Sequence, residues 1–282
     1  LVTGGNTITM AGKTDIDGTL TISNSGVYDA NGEFDATGGT IDQDGTSVLR
    51  MSGTVTSLGS SLDNAAGTVE YDRNDGGTQT VFADTYYNLE IDQAGTKTAG
   101  GAVNVNGTMT VQSTGTPVYD VAATTTTVTG TSTISGTLNI DGSGVYDANG
   151  DFAASGAITM VGTARLQLSA AGSGVSSLGN LTTSAGTVEY DGGTQNVLAD
   201  TYYNLEIDQA GTKTAQGAVN VNGTMTVQNN GLVVYDIAGT NTTATGTTTV
   251  NHTNGTNSGT IKLTTGTFEA NGTTDINGKL TI

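Results

Sequence analysis

Apolar and polar residues alternate along most of this chain with a period of two. Tyr87, Leu89 and Ile91, and then Val103, Val105, Met109 and Val111, are separated by Asn, Glu and Thr, as in strands that bury one face. The alternation runs for only about four to six residues before a Gly-containing corner interrupts it. No window spaces its apolar residues at three and four, so the pattern predicts no helix. Strands this short cannot bury their apolar side in isolated hairpins, so each needs stacked neighbours.

Repetition supplies those neighbours. Residues 84–112 return as 200–228 with one difference in 29 positions, Gly100 against Gln216. A shorter period of about 20 residues aligns 14–33, 34–53 and 54–73, each with two or three short strands. A G-T-Φ-x-Φ signature, where Φ is apolar, marks the phase at 18–22, 107–111, 136–140 and 223–227, and returns as GKLTI at 278–282. A longer period of about 118 residues relates SGVYDANGEF at 25–34 to SGVYDANGDF at 143–152, and GTVEYD at 67–72 to 186–191. It divides the chain into units of approximately 25–142, 143–259 and a partial 260–282. The offset drops from 119 to 116 because Arg73, Asn74 and Asp75 have no counterpart after Asp191, which marks an insertion at a corner. No linker or composition shift separates the units, so 1–282 reads as one continuous domain.

The expected fold is all-β, a parallel β-helix (β-solenoid) with one coil per repeat of about 20 residues. At about 4.8 Å between stacked strands, about 14 coils would make a rod of roughly 65–70 Å. The competitor is an antiparallel sheet, because Asn-Gly pairs recur along the chain, among them those beginning at Asn31, Asn106, Asn149, Asn222, Asn271 and Asn277, and Asn-Gly is a hairpin signal. Asn and Gly also take left-handed backbone at the bends of a coil, and several short corners in 20 residues suit a coil better.

Composition narrows the function. With 43 Gly, one Pro and no Cys or Trp, the expected lumen is thin and filled by Val, Ile, Leu, Ala and Thr. The net charge of -18, from 26 acidic and 8 basic residues, argues against nucleic acid or anionic membrane as partner. No apolar run reaches about 18 residues, so no segment predicts membrane insertion. The chain begins in mid-repeat and ends with Leu280 and Ile282 in the inward phase. Both ends are therefore expected to continue the stack, into further repeats or onto identical subunits as a fibre.

Candidate chemistry is sparse. Asp15/Asp17 in DIDG and Asp42/Asp44 in DQDG place two carboxylates two residues apart before a Gly, a spacing that calcium accepts. Solvated Asx turns explain the same residues. Such pairs could also serve as general acid and base on a sugar, but no insertion long enough to wall a cleft accompanies them. His252 lies in the polar NHTNG segment and reads as a surface histidine. No catalytic residue, required cofactor or enzymatic activity is expected. Sequons begin at Asn106, Asn180, Asn222, Asn241, Asn251, Asn254 and Asn271 and are candidates for N-glycosylation. Of each Tyr pair, Tyr86/Tyr87 and Tyr202/Tyr203, one ring must face the core and the other solvent.

The strings GTVEYDGGTQNV, TYYNLEI, GTKTA and VNVNGTMTV resemble the degenerate repeats of haemagglutinin-like and autotransporter-passenger-like β-helical adhesins of bacterial surfaces. The resemblance spans the chain and implies a right-handed parallel β-helix, export to the cell surface, and adhesion or a surface fibre. Partners would be further repeats, copies of itself, or cell-surface glycans. The alternative function is a carbohydrate-binding or polysaccharide-cleaving β-helix protein.

Overall fold

The computed structural model describes residues 1–182, 184–252 and 258–282, and every regular element among them is a β-strand. The strands stack in parallel as a β-solenoid of about 13 turns of roughly 20 residues, close to the expectation. Three short strands make a typical turn, and most ladder steps join strands three apart in the chain, Val145–Ala148 to Arg165–Leu168 and Arg165–Leu168 to Thr187–Tyr190 being among the exceptions. Thr7–Met10 pairs with Val27–Ala30, then with Val48–Met51 and Thr68–Tyr71, residue for residue and in parallel. Every pairing between the named strands is parallel, the isolated antiparallel bridge of His252 to Ser258 aside, so the Asn-Gly pairs at Asn31, Asn106, Asn149, Asn222, Asn271 and Asn277 close no hairpin.

Those pairs do not bend the backbone as expected either. Gly231, after Asn230, takes φ 97°, whereas at the pairs beginning with Asn31, Asn106, Asn149, Asn222, Asn271 and Asn277 neither the Asn nor the Gly that follows it has a positive φ. Glycine is required there for closeness. A Cβ on Gly32 would run into the carbonyl oxygen of Gly12, and one on Gly272 into that of Gly246. The corners form glycine columns in which one coil's carbonyl rests on the next coil's Cα. Gly12, Gly32 and Gly53 make one such column, and Gly223, Gly246 and Gly272 another.

The chain divides into two compact units, residues 1–139 with 155–157 and residues 140–154 with 158–282. In the first unit one ladder runs unbroken from Thr7–Met10 through Asn88–Ile91 and Met109–Val111 to Ser132–Ile134. Its inward positions stack in register: Tyr28, Leu49, Val69, Leu89 and Met109 in one column, Ala30, Met51, Tyr71, Ile91 and Val111 in the next. All of these are 2% exposed or less. The other two ladders stop at Val55–Ser57 and Ser61–Leu62, and new ones start at Thr78–Val81 and Thr85–Tyr86. In the second unit the continuous ladder runs from Val145–Ala148 through Arg165–Leu168, Thr187–Tyr190 and Asn204–Ile207 to Thr274–Ile276, while new ladders start at Gln195–Val197 and Thr201–Tyr202. The new ladders thus follow the repeated sequence TVEYD in both units.

The lumen holds more aromatic rings than the filling of Val, Ile, Leu, Ala and Thr expected, beyond the one ring of each Tyr pair that the sequence assigns to the core. Tyr28, Tyr71, Tyr86, Tyr119, Tyr146, Tyr190, Tyr202 and Tyr235 are all fully buried. Six of them pack edge to face in pairs, Tyr28 on Phe34 and Tyr146 on Phe152, Tyr71 on Tyr86 and Tyr190 on Tyr202, with centroids 6.2–6.5 Å apart. Such rings supply the buried area that a chain without Trp otherwise lacks. Tyr87 and Tyr203 point outward and are 38% and 37% exposed, the split that strand geometry demands.

Candidate functional site

The sequence-selected acidic pairs lie on the surface. Asp15, Asp17, Asp42 and Asp44 are all exposed. Asp44 accepts a hydrogen bond from the backbone N–H of Asn24 one coil away, and Asp42 one from the Thr21 hydroxyl at 3.4 Å. Asp42 also lines a shallow groove of about 410 Å³ with Thr19, Thr40 and Ser61. Among the described residues the three carboxylates close enough to share a cation are instead Glu189, Glu206 and Asp208. Of the sequons, Asn106, Asn180, Asn222, Asn241 and Asn271 are exposed. Asn251 is half-buried and donates to Gln228 at 2.8 Å, and Asn254 lies outside the described residues. His252 is exposed, as expected.

The carboxylates form ladders because successive strands stack residue for residue. In the first unit Asp29, Arg50, Glu70, Glu90 and Thr110 follow one another on the outer face. Arg50 lies 2.9 Å from Glu70 and 3.6 Å from Asp72, and Gln112 donates to Glu90 at 2.6 Å. In the second unit Arg165 bridges Glu189 and Glu206 at 2.6 and 2.7 Å, Gln167 donates to Glu189, and Gln228 donates to Glu206. Arg165 therefore already supplies positive charge to the trio that could have held a metal.

Burial pushes the Glu70 carboxyl up to about 7, Arg50 offsetting only part of the effect, and it raises Asp72, Glu189 and Asp191 as well. A carboxyl with a raised folded pKa binds protons more tightly when folded. For Glu70 the stability it adds is fully present below the ordinary value of 4.5 and is lost as pH rises through about 7. The melting temperature at pH 5 is accordingly expected to exceed that at pH 7.5 by roughly 5 °C. Glu70→Gln should narrow the difference, and a melting temperature that drops between pH 7.5 and pH 5 would contradict the assignment.

A second cluster, which the sequence reading missed, lies inside the lumen where the ladders restart. Gln79 is 2% exposed and donates to the carbonyls of Met51 and Gly53 at 2.7 and 2.9 Å. Its partner in register on the next coil is Lys97, fully buried. The Lys97 ammonium donates to the carbonyls of Arg73, Gln93 and Ala94 at 2.9, 2.8 and 3.0 Å. Gln93 takes a left-handed φ of 60°, so the corner ending on it turns carbonyls inward, away from the ladder. The lysine satisfies them. Burial lowers Lys97 to about 8, against the pull of Asp72 and Asp92. The next coil in this register contributes Tyr119, whose hydroxyl meets that of Thr126 at 2.7 Å.

The second unit repeats the cluster. Gln195 donates to Leu168 O at 2.7 Å, Lys213 to Gln209 O at 2.6 Å, and Tyr235 meets Thr242 at 2.8 Å. Lys213 is also buried, and burial lowers it to about 8. The tyrosine pairs match too: the Tyr71 and Tyr86 hydroxyls bind each other and the backbone of Phe82, and those of Tyr190 and Tyr202 bind each other and the backbone of Leu198. These networks pair buried backbone groups that irregular corners leave without ladder partners.

One built feature belongs to the first unit alone. Arg73 Nε lies 2.8 and 2.9 Å from the two Asp75 oxygens, Nη2 lies 2.6 Å from Oδ2, and Nη1 donates to Thr78 O at 3.1 Å. The inserted loop so braced walls a groove of about 470 Å³ over the Gly32–Gly53 column. The insertion was visible in the sequence as a change of offset, but its role as a wall was not.

Comparison with protein families, curated proteins and solved structures finds no match to this chain.

Proposed function

We propose that this chain is a structural segment of an extracellular surface protein, a stack of coils whose work is spacing and display. The observation that carries the proposal is duplication of chemistry. The carboxylate ladder, the buried Gln–Lys–Tyr series and the tyrosine pairs each occur in both units with matching partners. A site that recognises one substrate is a single constellation, whereas a spacer repeats what holds its coils together. The likeness of its repeats to bacterial β-helical adhesins and its acidic, cysteine-free composition support a cell-surface setting.

The reading includes end-to-end stacking. Leu280 pairs in register with Ile261, and Ile276 with Val250. Ile261 and Val250 are fully buried, while Leu280 and Ile276 are 44% and 38% exposed. The strands Thr267–Ala270, Thr274–Ile276 and Lys279–Thr281 are bonded along one edge only. An apolar lumen bordered by unpaired strand edges fits another coil, from the same polypeptide or from a second copy.

Two readouts test the proposal. Sedimentation velocity of the 282-residue chain should show concentration-dependent association that the Ile276→Asp/Leu280→Asp double variant loses. Antibody against the chain should label intact source cells, and external protease should remove the label. A chain monomeric at every concentration would refute stacking, and labelling only after permeabilisation would refute display.

A further inference from the structure

The Arg73–Asp75 corner departs from the duplication in a way that builds a surface. The second unit reads YDGGTQ at 190–195 where the first reads YDRNDGGTQ at 71–79. We propose that the groove beside this insertion binds a neutral, hydroxyl-rich ligand, one or two sugar residues of a glycan. The proposal does not depend on whether the coils stack end to end.

The shape comes first. The floor is Gly32 and Gly53, whose carbonyl and Cα pack directly on each other. With no side chain on the floor, a ligand can reach the backbone. The groove is shallow and open, with about 470 Å³ above its floor, so it would cover one face of a ligand rather than enclose it. The wall is braced before any ligand arrives, because Asp75 holds Arg73 through both carboxylate oxygens and also accepts the Gly77 N–H at 2.8 Å. A wall already ordered costs little further entropy on binding.

The chemistry of the lining then selects the ligand. Apolar molecules gain nothing, since the groove is lined by glycine and polar or charged side chains only. Cations find no unengaged carboxylate: Asp75 is taken by Arg73, and Glu33 lies 3.3 Å from Lys13 and accepts from Thr56. Anions fare no better, because the Arg73 charge is matched at 2.6 Å and the chain as a whole carries -18. The remaining groups carry no net charge: the amides of Asn31 and Asn74 and the Thr54 hydroxyl, together with the Ser52 hydroxyl, which already donates to Asp72 at 2.7 Å and is left as an acceptor. They suit the alternating donors and acceptors of sugar hydroxyls. With no aromatic ring to stack on a sugar face, a single groove should bind weakly, with Kd on the order of 1 mM.

The test is an amide-resolved NMR titration of the full chain with lactose, maltose and di-N-acetylchitobiose. At least one disaccharide should give saturable shifts centred on Gly32, Gly53, Asn74 and Gly77. Deleting residues 73–75 recreates the corner that folds at 191–194 but removes the Arg73 carbonyl that Lys97 donates to, so this variant should keep its circular dichroism with a melting temperature lowered by a few degrees, while affinity falls at least tenfold. Asn74→Ala, which leaves the Arg73–Asp75 brace in place, should weaken binding several-fold. Absence of saturable shifts with all three sugars, or equal affinity in the deletion variant, would overturn the proposal.

Discussion

Replacing Gly246 with alanine is expected to cost about 3–5 kcal/mol and to lower the melting temperature by roughly 10 °C, a large effect for one methyl group. The added Cβ would overlap the carbonyl oxygen of Gly223 and lie 2.8 Å from its carbonyl carbon. These are backbone atoms of the neighbouring coil, so no side chain can swing aside. Relief requires the coils to separate, which would stretch the bonds from Thr245 N to Val221 O and from Met225 N to Thr247 O beside the corner. The control is in the same kind of column. Gly12 and Gly18 have open space where a Cβ would go and no positive φ, so Gly12→Ala or Gly18→Ala should be neutral or stabilise by up to about 1 kcal/mol through reduced freedom of the unfolded chain. Thermal unfolding followed by circular dichroism separates the two classes. Equal melting temperatures for Gly246→Ala and Gly12→Ala would show that the coils are not in backbone contact at these corners.

This contrast marks the limit of what the sequence made legible. Period-two alternation located the strands, and a repeat of about 20 residues located the coils, because both follow from side chains alternating across a parallel stack. Asn-Gly was read as a signal of left-handed backbone, yet the strand-to-strand approach decided those positions. Closeness between coils leaves no mark on local propensity. The further rings and amides of the lumen escape a sequence reading for a related reason. A tyrosine in VEYD or a glutamine in TQTV looks outward by its polarity, and only register shows Tyr71 above Met51, and Gln79 below Lys97. The parity was available, since Lys97 and Ala99 are two residues apart and must share a face; the charge on Lys97 concealed it. The paired carboxylates were chosen for their local spacing, while the structure joins Glu70 to Glu90 and Glu189 to Glu206 across coils. Contacts of that kind become visible once the coil length is known to the residue.

Lys97→Met should destabilise the first unit by about 2–4 kcal/mol, and Lys213→Met the second by less than about 1 kcal/mol. Two effects compete at each site. Removing a buried ammonium relieves its desolvation, and since Lys97 and Lys213 are each held near 8 against an ordinary 10.5, that relief is of similar size in both, about 3 kcal/mol at most. The opposing loss is the set of carbonyls left without a donor, at about 1–3 kcal/mol each. Lys97 serves three, those of Arg73, Gln93 and Ala94, while the described bond of Lys213 is to Gln209. The loss therefore outweighs the relief in the first unit and nearly cancels it in the second. Alkaline pH tests the same account without mutation. A lysine with a lowered folded pKa burdens the fold while both states are protonated, and that burden lifts as pH rises from about 8 towards 10.5. Between pH 8 and pH 9.5 the melting temperature of the wild type should therefore fall less than that of the Lys97→Met/Lys213→Met double variant. Equal losses in the two single variants, or the same alkaline slope with and without the lysines, would mean that the buried ammonium groups do not hold these corners.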